Sequence, residues 1–260
     1  MYHKNIHYNI LLFRLFYNKK ALIGKVKNKK GGLDIYNNIY KKMKKGLLIY
    51  LMTSAICLAN MNIENINKTG KTEKYTYNFE YPKLTLNGKE LAVNKELEKI
   101  TNDNIKGLIR DSKTNPYNDR PYEGESFYKE YKNNFGVTSL LGMTYFYTGG
   151  NHGMTGLSSF NISNKTGKSL TFNDIFKPEA KKYFEMEIIK AIKNDIKTKK
   201  EETKFFRDMS TRTTDIDNAV VFFRGNNVVI RYQQYVVAPY SSGTPEFEFS
   251  KESVKNYLKI

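Results

Sequence analysis

The stretch from Tyr145 to Phe176 constrains the fold most, because it alternates strand-forming runs with turns that leave the chain little choice. Val137 to Tyr147 is rich in β-branched and aromatic residues, and Gly149-Gly150-Asn151-His152-Gly153 interrupts it. Gly156 to Ser163 resumes the strand pattern. Asn164-Lys165-Thr166-Gly167 supplies a tight turn, with Gly167 suited to a positive φ. Leu170 and Phe172 then lead to Asp174 and Phe176, where Pro178 and Glu179 open a helix. Strands reversed this tightly pair antiparallel.

The same reading extends to both sides. Tyr75, Tyr77, Phe79 and Tyr81 alternate with polar residues, the mark of a half-buried strand, and Pro82 is expected to end or bend it. Val93, Leu97, Ile100, Ile105, Leu108 and Ile109 predict an amphipathic helix over 94–111 with Asn94 as N-cap. Residues 112–126 read as a long loop, with Tyr122, Phe127 and Tyr128 at its border, and 128–135 as a strand. Phe184, Ile188, Ile192 and Ile196 recur every four residues and predict a helix over 179–199. Val220–Phe223, Val228–Val237 and Glu246–Phe249 complete the strands, the first two joined by a turn at Gly225-Asn226-Asn227. Ser250 caps a short final helix. The expectation is an α+β fold of two small sub-domains, 73–148 and 149–260, each an antiparallel sheet packed on one long helix. A polar, disordered lead-in over 60–72 precedes them.

Charge says little about partners. Of the net +17, residues 1–59 hold 12 basic residues and one acid, which leaves +6 for the rest. Lysine and glutamate are interspersed there, as in Lys95-Glu96-Leu97-Glu98-Lys99, and nucleic-acid binding would need the basic residues on one face. Lys44-Lys45 precede the apolar run Gly46–Ala59, too short for a comfortable membrane span and the right size for a signal-peptide core. Cys57 and Ala59 stand at −3 and −1 of the expected cleavage site. Translation then starts at Met43, residues 43–59 are the signal peptide, and residues 1–42 are an over-extended N-terminus. The alternative is a basic extension followed by an uncleaved anchor; acylation of Cys57 would need a small residue where Ile56 stands. Membrane attachment is expected only through such an anchor.

Beyond residue 59 the chain has one histidine, His152, and no cysteine, too few nitrogen and sulfur ligands for zinc. No metal or cofactor is expected. The glycines at 149, 150 and 153 do not sit between a strand and a helix, as a phosphate-cradling loop requires. Ser158 or Ser159 could pair with His152, without a nucleophile elbow. The pairs Glu123/Glu125 and Glu201/Glu202 lack any sign of the separation across a cleft that glycosidases use. Two readings of His152 stand: a ring packed at a strand connection, or an exposed ring that contacts a partner.

Two motifs carry a family resemblance. The first is Tyr145-x-Tyr147-x-Gly149-Gly150-x-His152-Gly153, followed by Thr166-Gly167, Leu170, Asp174 and Phe176. The second runs from Phe222 to Tyr240, where Tyr235, Pro239, Tyr240 and Gly243 match the family's closing motif and Val236 replaces its usual Glu. From about Tyr75 to Ile260 the chain resembles the PdaC/RsiV-like family. The resemblance implies an extracytoplasmic protein, since such domains bind lysozyme directly in an anti-sigma factor and accompany a deacetylase that acts on cell-wall glycan. It points to a secreted, non-enzymatic binding module for a lysozyme-like protein or peptidoglycan glycan. The alternatives are an envelope polysaccharide-modifying enzyme using a carboxylate or His152, and a structural envelope protein. Gly149, Gly150, Asn151, His152 and Gly153 are expected to meet Tyr235, Pro239 and Tyr240 and form the partner surface.

Overall fold

The computed structural model describes residues 61–114, 120–210 and 214–260. The expected N-terminal extension 1–42 and signal peptide 43–59, with Cys57, lie outside the described residues. The described residues form one compact unit.

The fold is α+β, and the described residues form two sheets and two long helices. The large sheet has seven strands: β1 (Met61–Lys71), β2 (Tyr75–Leu86), β3 (Lys89–Glu90), β4 (Tyr122–Tyr131), β5 (Val137–Tyr147), β6 (Met154–Ser163) and β7 (Ser169–Leu170). Its order is β1-β2-β4-β5-β6-β7, with β3 paired to β2. All its pairings are antiparallel except β2 with β4. A parallel pair needs a crossover of a dozen or more residues, and the helix α1 (Val93–Thr114) supplies it. A short helix α2 (Phe172–Ile175) leads to the long helix α3 (Glu179–Lys199). The second sheet, β8 (Ala219–Arg224), β9 (Asn227–Tyr232) and β10 (Glu246–Ser250), follows, and then α4 (Lys251–Val254), capped by the Ser250 side chain.

Alternation along β8 and β9 fixes the layers. Val220, Phe222 and Val229 pack with Leu141 and Leu157 of the large sheet. Phe223, Val228, Ile230 and Tyr232 face the other way and bury Phe184, Ile188 and Ile192 of α3. On the far face of the large sheet, Leu97 meets Leu84, Leu140 and Phe160, and Leu108 meets Phe79. The layers therefore run α1, large sheet, small sheet, α3. Ser139 and Asn161 tie the two sheets together. The Ser139 hydroxyl donates to Asn161 Oδ1 at 2.7 Å and accepts from Phe223 N–H at 2.8 Å, while Asn161 Nδ2 donates to Val221 O at 2.8 Å.

Several expectations need correction. Residues 61–71 of the supposed lead-in form β1, paired with β2 along its whole length. An edge strand can be this polar because only Met61, Ile63 and Ile66 need cover. The boundary expected at residue 149 falls inside the β5–β6 hairpin, so β6 and β7 belong with the first half. β2 runs on through Pro82: β4 leaves it after Phe79, and a strand with one ladder free tolerates a missing donor. Asn94 does not cap α1 from outside. It lies in the first turn and clamps Leu84, accepting from its N–H at 2.8 Å and donating to its carbonyl at 2.9 Å. Tyr122, read as bordering a loop, is buried inside β4, whereas Phe127 on the opposite face is exposed.

Candidate functional site

The β5–β6 connection is built around glycines. Gly149 (φ 92°) and Gly150 (φ 99°) take left-handed conformations that disfavour other residues, and Tyr147 Oη donates to Gly150 O at 3.1 Å. A Cβ on Gly153 would lie 2.3 Å from the Tyr145 ring, so a larger residue there would have to push that ring aside. The Gly153 backbone hydrogen-bonds the Tyr145 hydroxyl; burial, with the Glu123 carboxylate nearby, pushes that phenol above its ordinary pKa. These contacts deliver His152 to the surface of the hairpin tip.

The second segment starts where β9 stops. Gln233 Oε1 accepts from Leu157 N–H at 2.8 Å and its Nε2 donates to Leu157 O at 2.9 Å. Gln234 Oε1 accepts from Thr155 N–H at 2.8 Å. Tyr235 follows at φ 65°, a left-handed conformation rare for an aromatic residue, with its side chain exposed. Val237 and Ala238 return to the core beneath α3, and Pro239 caps the turn that begins at Tyr240.

The two segments meet at His152. Its ring stacks on Tyr240 with centroids 3.9 Å apart and planes 21° apart. Its Nδ1 lies 3.0 Å from Gly153 O, an acceptor, so Nδ1 carries the proton in the neutral ring and Nε2 is left to accept from Tyr235 Oη at 3.4 Å. Tyr235 and Tyr240 are themselves 6.0 Å apart. The structure thus brings together His152, Gly153, Tyr235 and Tyr240; Gly149 and Gly150 shape the turn, Asn151 is exposed beside it, and Pro239 sets the approach of Tyr240. Gln233 and Gln234 also belong to the site and do not stand out in the sequence. Their signal, two adjacent amides directly before the family's Tyr-x-x-x-Pro-Tyr motif, is visible only once β6 is known to lie beside them.

Chemically this is a platform of three rings with both imidazole nitrogens engaged. Among the described residues His152 contacts Gly153, Tyr235 and Tyr240, and none of these is a carboxylate that would orient it as a base. Ser158 is hydrogen-bonded to Tyr128 on the α1 side of the sheet, away from His152. Glu123 and Glu125 share one face of β4, opposite Tyr147 and Tyr145 of β5. Among the described residues no three His, Cys, Asp or Glu side chains are grouped to hold a metal ion. No helix of the described residues is long and apolar enough to cross a membrane.

Comparisons with known proteins divide the chain at this site. Residues 68–155, which include His152, match the family model "Deacetylase PdaC". Residues 173–252, which include Tyr235 and Tyr240, match "Protein of unknown function (DUF3298)". The comparison with curated proteins finds no match. Among solved structures, a DUF3298 family protein from Pseudomonas aeruginosa PAO1 is similar over 77% of this chain and 94% of its own, at 18% identity and a TM-score of 0.50, which shows a shared fold. A DUF3298 family member from Bacteroides fragilis NCTC 9343 aligns over 78% and 94%, at 14% identity and a TM-score of 0.44. With both models matched in order and the motifs in place, the chain belongs to the PdaC/RsiV-like family, whose domains are extracellular-type modules of the cell envelope.

Proposed function

We propose that this protein is a secreted, non-enzymatic binding module that recognises a lysozyme-like protein or cell-wall glycan through the surface around His152, Tyr235 and Tyr240. The observation that carries the proposal is the stack of His152 on Tyr240, with Tyr235, 83 residues from His152 in sequence, held beside it. Tyrosines supply large contact areas at low entropic cost and dominate recognition surfaces. Here they stand on loops fixed to two sheets, where binding residues are usually placed. Stacked rings suit sugar C–H faces, and the exposed Tyr235 side chain suits either a glycan or a protein. Among the described residues His152 is engaged by a backbone carbonyl and two tyrosines, an arrangement that suits binding.

Titration of the purified protein with a lysozyme, and separately with soluble muropeptides, tests the proposal. The expected Kd for one of them is micromolar or better, about −8 kcal/mol. His152→Ala should weaken it with little change in melting temperature, because the ring is exposed. A clear loss of stability with unchanged affinity would make His152 scaffold. Release of product from purified peptidoglycan would favour the enzymatic alternative.

A further inference from the structure

We infer that Gln233 and Gln234 are positioning residues, whose side-chain amides pair with the free edge of β6 and thereby hold Tyr235 and Tyr240 against His152. The inference rests on the proposed binding surface for its functional consequence, and on geometry alone for the positioning. β6 pairs with β5 on one side, and on the other, among the described residues, only Asn161 and Ile162 have a strand partner, in β7. Thr155 and Leu157 therefore face an edge without a ladder. The Gln233 amide meets Leu157 there as a peptide group would, accepting from its N–H and donating to its carbonyl. Gln234 accepts from Thr155, the next outward-facing residue. Two side chains thus stand in for a short strand.

This anchoring explains how Tyr235 keeps a left-handed φ of 65°. Upstream the glutamines fix the chain to β6; downstream Val237 and Ala238 are buried at 0% and 1% exposure. Strained backbone persists where its surroundings over-determine it. With the side-chain anchors released, the turn keeps the longer backbone bonds from Gln233 N–H to Asn218 O at 3.3 Å and from Val236 N–H to Gln233 O at 3.4 Å; Tyr235 then relaxes toward a negative φ, and its hydroxyl leaves His152 Nε2.

The hydrogen bonds differ in a way that makes the role testable. Gln234 is used only as an acceptor, so Gln234→Glu keeps its bond to Thr155. Gln233 is used as donor and acceptor at once, so Gln233→Glu sets a carboxylate against the Leu157 carbonyl. Gln233→Met and Gln234→Met keep side-chain length and remove the amides. Hydrogen exchange at Thr155 and Leu157, the NMR shifts of the His152 ring, and partner affinity are measured on each variant. In Gln233→Met and Gln233→Glu the Leu157 amide should exchange about tenfold faster or more. The His152 signals should leave their ring-current-shifted positions, and affinity should fall about tenfold. Gln234→Glu should behave as the parent and Gln234→Met should not. Faster exchange with unmoved His152 signals would overturn the inference, because something else would then hold the rings. Displaced His152 signals with unchanged affinity would uphold the positioning and reject the binding surface. Should the Gln233 variants fail to fold, the contrast between Gln234→Glu and Gln234→Met decides: equal His152 shifts in both would overturn the inference.

Discussion

The two sheets are stabilised differently. Around α3 and the small sheet, one continuous cluster joins Phe176, Phe184, Ile188, Ile192, Phe223, Ile230 and Tyr232, all at 0% exposure. Around α1 and the large sheet, the buried residues fall into separate groups, one centred on Leu84 and Leu97, the other on Phe79 and Leu108. The small sheet also covers only part of its larger neighbour. It packs on Leu141 and Leu157, whereas Glu123, Glu125 and Phe127 further along remain exposed. One region is thus an anchor buried on both faces of its sheet, and the other a platform with an open end. The candidate site lies where a loop from the anchor reaches the tip of the platform.

If that contrast is right, the largest loss should follow Phe184→Ala. Its ring meets Phe176 at 5.3 Å and Phe249 at 4.9 Å, and its removal should cost about 3–5 kcal/mol in denaturant unfolding. Phe79→Ala removes a ring of the same size from a smaller cluster with partly exposed neighbours, where collapse is easier, and should cost less. Equal losses would break the distinction between anchor and platform.

The next effect tests whether the regions are coupled. Ser139→Ala leaves Phe223 N–H without its acceptor and Asn161 Oδ1 without its donor, inside a fully buried junction. A loss of about 1–3 kcal/mol is expected, with unfolding still in a single transition. Two separated transitions in the parent protein would show that the sheets unfold independently.

The difference between the regions also explains what the sequence reveals. α3 is legible because one side of it is uniformly buried, so Phe184, Ile188 and Ile192 repeat without interruption. β1 is not, because an edge strand needs few apolar residues, and Asn65, Asn67 and Lys68 look like solvent-facing chain until β2 is placed beside them. The extent of the large sheet is hidden for a related reason: the glycines at 149 and 150 mark a turn, and a turn within a hairpin has the same local chemistry as one between domains. At the site, the glycines, His152 and the Pro239-Tyr240 pair stand out locally. The glutamine anchors depend on residues 76 and 79 positions away and leave no local pattern.

A smaller effect lies at the joint between the regions. Asp174 accepts from Thr171 N–H at 2.9 Å and Thr171 Oγ at 2.7 Å, and pairs with Lys168 at 3.1 Å. These bonds, the one from the Thr171 backbone foremost, hold its carboxyl at about 2, well below the ordinary aspartate range. A depressed carboxylate contributes stability that is present above its unfolded pKa and lost as pH falls through the folded one. Wild-type melting temperature should therefore drop toward that of Asp174→Asn between about pH 4 and pH 2. Parallel pH profiles for the two proteins would mean that the bonds contribute nothing.

The smallest change in stability is expected at Tyr235, and it separates anchor from platform most sharply. A side chain at φ 65° carries a penalty of about 1–2 kcal/mol that glycine avoids. Glycine also gains entropy in the unfolded chain, worth about 0.4–1 kcal/mol in the opposite direction. Tyr235 is 43% exposed, so little packing is lost with its ring. Tyr235→Gly should therefore leave stability within about 1 kcal/mol of the parent, on either side. Partner affinity should nevertheless fall, because the hydroxyl that reaches His152 Nε2 and the exposed ring are both removed. A residue kept only for folding would show the reverse, a lower melting point with intact binding. A variant that is equally stable and binds equally well would leave the left-handed tyrosine without a role and move the recognition surface elsewhere, with the open Glu123–Phe127 end of β4 as the next place to look.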